Sequence, residues 1–270
     1  MLSERGVFLM KGFIVWIKKV LFGSLSIILF LLIWEVASRT GLVLKSVIPP
    51  PSLILEAIIK SAQSGELLMH MLGSLKRSAT GFILAIVIAI PTGFLLGTFF
   101  KTIEKIFLPF FRMLEKLNPF AIFPVFMIIF GIGNFEKIAV IFWVAQWPLL
   151  FYTIAGTKSV DFYLLKSARS MGANRKRLFL DVILPSAVPS IFTGIKISAQ
   201  ISFFMIIASE IIGSTEGLGW YFLSANQAFQ IPLMYGVIIV ITVLSVIINV
   251  LFTNLERHFL SWKESPFQVN

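Results

Sequence analysis

Few residues in this sequence could do chemistry, and their types and spacing exclude more than they allow. There is no cysteine, which removes a thiolate nucleophile, a thiolate metal site and a disulfide framework. The two histidines, His70 and His258, have no neighbour at metal-ligand spacing and read as surface residues, in a loop or near a chain end. No G-x-x-x-x-G-K-[ST] run occurs. "GTKS" at 156–159 lacks the first glycine and the spacing, so nothing here cradles the phosphates of a nucleotide. Glu210, in "IIASEIIG", stands nearly alone in apolar surroundings with no second acid to complete an acid–base pair. The densest charge lies in "LLKSARSMGANRKRLFLDVILPSAVPS" at 164–190, with Lys166, Arg169, Arg175, Lys176 and Arg177, approached by Lys158. An enzyme reading fails for want of a constellation, and the basic island becomes the question.

The elements that must position it are apolar. Hydrophobic residues make up 57% of the chain and charged ones 13%, about half the share of a soluble domain. With a mean hydropathy of +0.93, much of the surface has lipid as its solvent. Runs long enough to cross a bilayer predict an all-α integral membrane protein with six spans, at 20–38, 78–99, 117–133, 137–156, 189–213 and 234–255. They form one membrane domain over 20–256, after an N-terminal segment 1–19 and before a tail 257–270. The first run has the basic head of a signal peptide, but no A-x-A site follows, and it reads as an uncleaved helix. "VIPPPS" predicts extended backbone through Pro49, Pro50 and Pro51, then a helix capped by Ser52. Residues 101–116 read as a basic loop, and Pro119 and Pro124 break the third span. Gly93-x-x-x-Gly97 is a common helix-packing spacing.

Six spans sort the cations. The N-terminus, the 101–116 loop, the island and the tail hold sixteen Lys or Arg on one side. Arg39, Lys45, Lys60, Lys76, Arg77 and Lys137 make six on the other, with Lys196 inside the fifth span. The excess places both termini and the island in the cytoplasm. Topology therefore accounts for most of the net charge of +10, and no nucleic acid is needed to explain it.

Within the island, Asp161 is placed to cap a helix whose Leu164, Ala168 and Met171 share a face, and Gly172 suits its left-handed end. Asn174 can cap a second helix, "RKRLFLDVIL", packed through Leu178, Phe179 and Val182 and stopped by Pro185. Two short helices at an angle fit either an amphipathic hairpin on lipid headgroups or a cornered element seated in a groove of another protein. Periodicity leaves both open.

"SARSMGA", nine further residues and then "VILP" resemble the EAA loop of inner-membrane permease subunits of binding-protein-dependent ABC importers. The pieces "IPPPSLILEAI", "GELLMHMLGSLKRSATGF", "PTGFLLG", "NPFAIFPVFMIIFGIG", "ASEIIGSTEGLGW" and "LERHFLSWK" are similar to the nitrate/sulfonate/taurine branch of that family, in the same order over about residues 48–263. The resemblance implies a type I ABC importer permease fold in a bacterial inner membrane, with 158–187 as the coupling-helix loop. It implies docking on a cytoplasmic ATPase through Lys166, Ser167, Ala168, Arg169, Met171, Gly172 and Ala173, with Phe179 and Pro185 holding the second helix. Where the family reads Glu-Ala-Ala, this chain reads Lys166-Ser167-Ala168, so a charge pair with the ATPase would be rearranged or absent.

The implied partners are ABC ATPase subunits carrying ATP and magnesium, a second permease subunit (a second copy of this chain in preference to a sister chain) and an extracytoplasmic substrate-binding protein. No cofactor is expected on this chain. Candidate path residues are Glu210, Gln146, Gln200 and Ser202, since isolated polar groups in a bilayer are costly. Glu210 reads more as a gate contact, with Arg77 or Lys76, than as a ligand for an anion. Gln146, Gln200 and Ser202 serve equally as helix–helix hydrogen-bond partners. Lys196 can snorkel to the surface. Residues 214–229 either enter the membrane from outside or anchor at its interface through Trp220 and Tyr221. The competing reading, a stand-alone secondary transporter, calls for an inverted repeat and several intramembrane acids, and the sequence shows neither.

Overall fold

A computed structural model describes residues 25–44 and 46–260, and every regular element among them is helical. Helix α1 covers 25–39 of the described chain. It is followed by α2 (Pro51–Gln63), α3 (Glu66–Phe94), α4 (Lys101–Glu115), α5 (Pro119–Phe130) and α6 (Asn134–Lys158). Then come α7 (Phe162–Ser170), the single turn α8 (Arg175–Arg177), α9 (Leu184–Gly213), α10 (Leu218–Gln227) and α11 (Ile231–Phe259). Two π-helical segments, Leu95–Phe99 and Leu178–Ile183, extend α3 and lead into α9.

The core is built from α3, α6 and α9, whose backbones approach over small residues. A methyl group added at Gly81 would lie 2.7 Å from the Ile141 side chain, and one at Gly93 would lie 2.7 Å from Thr153. Gly97 meets Thr157 in the same way, so the Gly93/Gly97 spacing does bring α3 against α6. Around this centre, buried Ala85, Ala89, Ala145, Leu149 and Leu150 interlock with Trp147. Phe203 and Ile206 of α9 pack on Ile141. Much of the outer surface is Leu, Ile, Val and Phe, as lipid contact demands.

Four helical stretches are long and apolar enough to cross a membrane: Glu66–Phe99, Asn134–Lys158, Arg175–Gly213 and Ile231–Phe259. The pair α4 and α5, bent by 94°, makes a fifth if taken as one span. Of the expected loop 101–116, residues 101–115 are thus helical. The chain is broken at Asn118–Pro119, where Pro119 starts α5 with Asn118 accepting from the Phe120 amide, while Pro124 lies inside α5 without ending it. The expected first span begins outside the described residues. The second starts twelve residues before its expected position 78, because Gly65 in the left-handed region turns the chain straight into α3.

Helix α2 begins at Pro51 on an extended Pro50, and Ser52 does not cap it. Instead, the Ser52 amide and hydroxyl both donate to Glu35 of α1, at 3.0 and 2.7 Å.

Candidate functional site

Polar groups gather at the two ends of the core, and one helix joins them. At the first end lie the N-terminal half of α3, the start of α6, the C-terminal end of α9 and the 214–217 turn into α10. Glu210, fully buried on α9, takes hydrogen bonds from every side. The Ser74 hydroxyl donates to its two oxygens at 2.8 and 2.7 Å, the Gly219 amide donates at 3.0 Å, and Arg77 Nη1 lies 2.5 Å from Oε1.

Arg77 is itself only 5% exposed. Its Nε donates to Asn134 Oδ1 at 2.7 Å, and its Nη2 pairs with Glu216. Ser74 also accepts from the Leu218 amide at 2.8 Å, and His70 Nδ1 accepts from the Gly217 amide at 3.1 Å. Three successive amides of the Gly-rich turn are thereby held by one face of α3 and by Glu210. Gly217, with φ +109°, can take a backbone that other residues rarely adopt, and a Cβ there would run into the Glu210 carboxylate.

A second buried pair completes this end. Lys137 Nζ lies 3.5 Å from Glu136 Oε2 and donates to the carbonyls of Gly133 and Gly213 at 3.1 and 2.9 Å. It thus caps the C-terminus of α9 from α6, where exposed carbonyls favour a cation. Tyr221 is buried rather than anchoring at an interface: its hydroxyl is 2.6 Å from Ser61 Oγ and donates to Glu66 at 3.2 Å.

Sequence reasoning singled out Glu210 and offered Arg77 or Lys76 as its partner, of which the structure has Arg77, but read His70 as a surface residue, whereas it is buried against Tyr221 and Trp220. The missed signal was positional: His70, Ser74 and Arg77 recur at i, i+4 and i+7 and therefore share one face of a helix.

The other candidate path residues do not join this cluster. Gln200 is exposed and donates to Asn249 of α11 at 2.6 Å. Gln146 is half-buried on α6. Ser202 is buried with no hydrogen-bond partner. Lys196 approaches Glu256 at 3.5 Å.

At the opposite end lies the basic island. Asp161 caps α7 by accepting from the Tyr163 amide, and Gly172 ends it at φ +81°. Asn174 caps α8 by accepting from the Arg177 amide at 2.9 Å. The packed face of α7 is carried by Leu165 and Ala168, set against Val160, Leu178, Phe179, Val182 and Ile183. Leu164 and Met171 are exposed instead, as are Lys166, Ser167, Arg169 and Gly172, while Ala173 and Phe179 are half-buried.

Pro185 does not stop the second helix. It sits in the first turn of α9, where no amide donor is required, and the π segment before it absorbs the mismatch. Arg175–Gly213 is therefore one continuous helical stretch of 39 residues, reaching from the island to the Glu210 cluster.

A family model described as "Binding-protein-dependent transport system inner membrane component" matches residues 89–261, from the end of α3 through the island to the tail. The chain belongs to this family. It is thus a multi-pass inner-membrane permease rather than an enzyme in its own right.

The permease protein of the Escherichia coli K12 taurine transport system is 29% identical over 245 residues, covering 89% of this chain and 88% of its own. A Bacillus subtilis 168 protein named for aliphatic sulfonates transport is 31% identical over 250 residues, covering 93% and 89%. The bicarbonate transport system permease protein of Synechocystis is 30% identical over 223 residues, covering 77% and 76%. Among solved structures, an inward-facing form of the MetNI methionine ABC transporter superposes with a TM-score of 0.62 at 16% identity, over 73% of this permease and 98% of that chain. An amino acid ABC transporter with histidines gives 0.62 at 13% identity, over 74% and 96%. These two share the fold.

Proposed function

We propose that this permease forms the membrane pathway of an ATP-driven importer for a small oxoanion-bearing solute of the taurine, sulfonate, nitrate or bicarbonate kind. Support for the cargo comes from the relatives named for taurine, aliphatic sulfonates and bicarbonate. Counting α1 and the bent α4–α5 pair as spans gives six, and the excess of Lys and Arg on the island's side supports a topology with both termini and the island in the cytoplasm and the Glu210 cluster at the outer end. The chain has no phosphate-cradling motif, so ATP and magnesium belong to separate cytoplasmic ATPase subunits. Solute arrives on an extracytoplasmic binding protein, and a second copy of the chain completes the pathway.

The observation that carries this reading is the unbroken helical stretch from Arg175 to Gly213. Lys166–Ala173 form an exposed corner that suits docking into an ATPase cleft, while Phe179 holds that corner to the membrane helices and Pro185 lets it continue into α9. A push on the corner travels along α9 as a rigid element for about 50 Å and arrives at Glu210. There the Arg77 and Ser74 contacts tie α9 to α3, and the Gly217 and Gly219 amides tie both to the outer turn. Glu210 thus acts as a gate fastener, not as a ligand for an anion. Lys166, in place of the family's usual glutamate, selects an ATPase with an acidic contact at that position.

The test is co-purification. The chain is tagged and expressed with the ATPase encoded beside it, and the retained ATPase is assayed with and without disruption of residues 166–173. Retention that depends on those residues is expected. A chain that purifies alone and moves solute into liposomes without ATP would overturn the proposal in favour of a secondary transporter.

A further inference from the structure

The two π-helical segments face one another across a cavity of about 350 Å³ at the basic end. Gly97, Thr98 and Phe99 of the first segment and Leu178, Phe179 and Ile183 of the second line it. Phe179 bridges them, with its ring 5.3 Å from Phe94 and 6.1 Å from Phe99. The remaining walls are Lys101 at the start of α4, Thr157 at the end of α6, and Leu165, Arg169 and Arg175 of the island. The lining holds three cations and no carboxylate.

Three other basic-end cations are paired or stacked. Lys158 is bound by Glu104 at 2.6 Å, Lys196 by Glu256, and Arg112 lies over the Phe151 ring. Among the described residues, Lys101, Arg169 and Arg175 make no ion pair and no side-chain hydrogen bond.

We propose that this cavity is a binding site for a phosphate or other tetrahedral oxoanion, held by Lys101, Arg169 and Arg175 at its rim. Arginine forks match such oxygens geometrically, and basic pockets between membrane helices at the cytoplasmic surface hold anionic lipid headgroups. The apolar remainder of the lining, Phe99, Leu165, Leu178 and Ile183, suits the glycerol and upper acyl carbons of a phospholipid. The same cationic rim could be filled by free anion. Either source would brace the island against the end of α3, since the site takes its walls from both. The chemistry of the site does not depend on the transport reading; only its cytoplasmic placement does.

The experiment uses the purified full-length chain in detergent. Native mass spectrometry measures retention of phosphatidylglycerol against phosphatidylcholine, and tryptophan fluorescence titrates inorganic phosphate in lipid-free samples. The test variant is Lys101→Gln/Arg175→Gln. Its control is Lys176→Gln/Arg177→Gln, which removes the same charge from exposed positions outside the cavity. Arg175→Gln alone, at an exposed position, is the milder probe should the double variant fail to fold.

Preferential retention of phosphatidylglycerol, weakened about tenfold by Lys101→Gln/Arg175→Gln and severalfold by Arg175→Gln alone but not by the control, establishes a lipid site. The same residue dependence seen with inorganic phosphate and not with lipid establishes a soluble-anion site. Equal losses in the test and control variants, or no binding of either probe by the unaltered chain, would overturn the proposal.

Discussion

Arg77 and Glu210 lie 2.5 Å apart between Nη1 and Oε1, with both side chains shielded from solvent, and they join the second and fifth predicted spans at one end of the core. Removing one partner strands the other charge in a site that cannot hydrate it. Arg77→Leu is therefore expected to destabilise the folded chain by about 3–5 kcal/mol. Glu210→Gln should cost less, because the amide oxygen still accepts from Ser74 and Gly219. Thermal unfolding in detergent checks the ranking, and a Glu210→Gln variant less stable than Arg77→Leu would contradict it.

The same pair makes a functional prediction. If Glu210 fastens the outer end of α9 to α3, Glu210→Gln raises the basal ATPase activity of the assembled transporter and leaves the order of substrate preference unchanged. Competition uptake assays with several oxoanions test this. A change confined to substrate selectivity would make Glu210 part of the ligand site instead.

At the other end, Gly172 holds α7 and α8 at an angle through its φ of +81°, with nothing near enough to obstruct a side chain. The constraint there is backbone conformation, not space, and β-branched residues pay most for it. Gly172→Val should leave membrane insertion intact while ATP hydrolysis proceeds without solute uptake. Full transport by this variant would remove the coupling role from 166–173.

Lys137 was counted from the sequence only as one of six cations on the side opposite the island, and in the structure it is 2% exposed and bound to Gly213 O. Lys137→Met removes the cap of α9 and leaves Glu136 buried without its cation, at an expected cost of about 3 kcal/mol or more. Lys137→Arg should recover part of that. Equal stability of the methionine and wild-type chains would show that neither the end of α9 nor Glu136 needs the lysine.

What could be read in advance follows from how local each signal is. The caps Asp161 and Asn174 and the left-handed Gly172 were legible because each acts within three or four residues of chain. Leu178, Phe179 and Val182 were legible because one periodicity governs them. Pro185 misled because a proline stops a helix or starts one according to the turn it occupies, and the π segment that lets the helix run through leaves no mark in the sequence. Tyr221 was left between two placements for another reason: its partners, Ser61 and Glu66, lie more than 150 residues away, and only the packing of α10 brings them together. Glu210 stood out because a carboxylate among isoleucines is conspicuous. Of the network that neutralises it, only Arg77 was named beforehand, as an alternative to the exposed Lys76.

The contact of α3 with α6 gives a prediction independent of transport. A methyl group on Gly81 would sit 2.7 Å from Ile141 Cβ and 3.0 Å from the Ile138 carbonyl, so Gly81→Ala must either push the helices apart or displace a fully buried isoleucine. Overpacking of this kind costs about 1–3 kcal/mol. Ile141→Ala removes the obstructing branch and on its own leaves a cavity costing about 2–5 kcal/mol. The two changes relieve one another, so the double variant should be more stable than the sum of the single effects allows, by about 1 kcal/mol. Strict additivity in thermal unfolding would mean that the Ile138 carbonyl, which no side-chain change can move, sets the distance between the two helices.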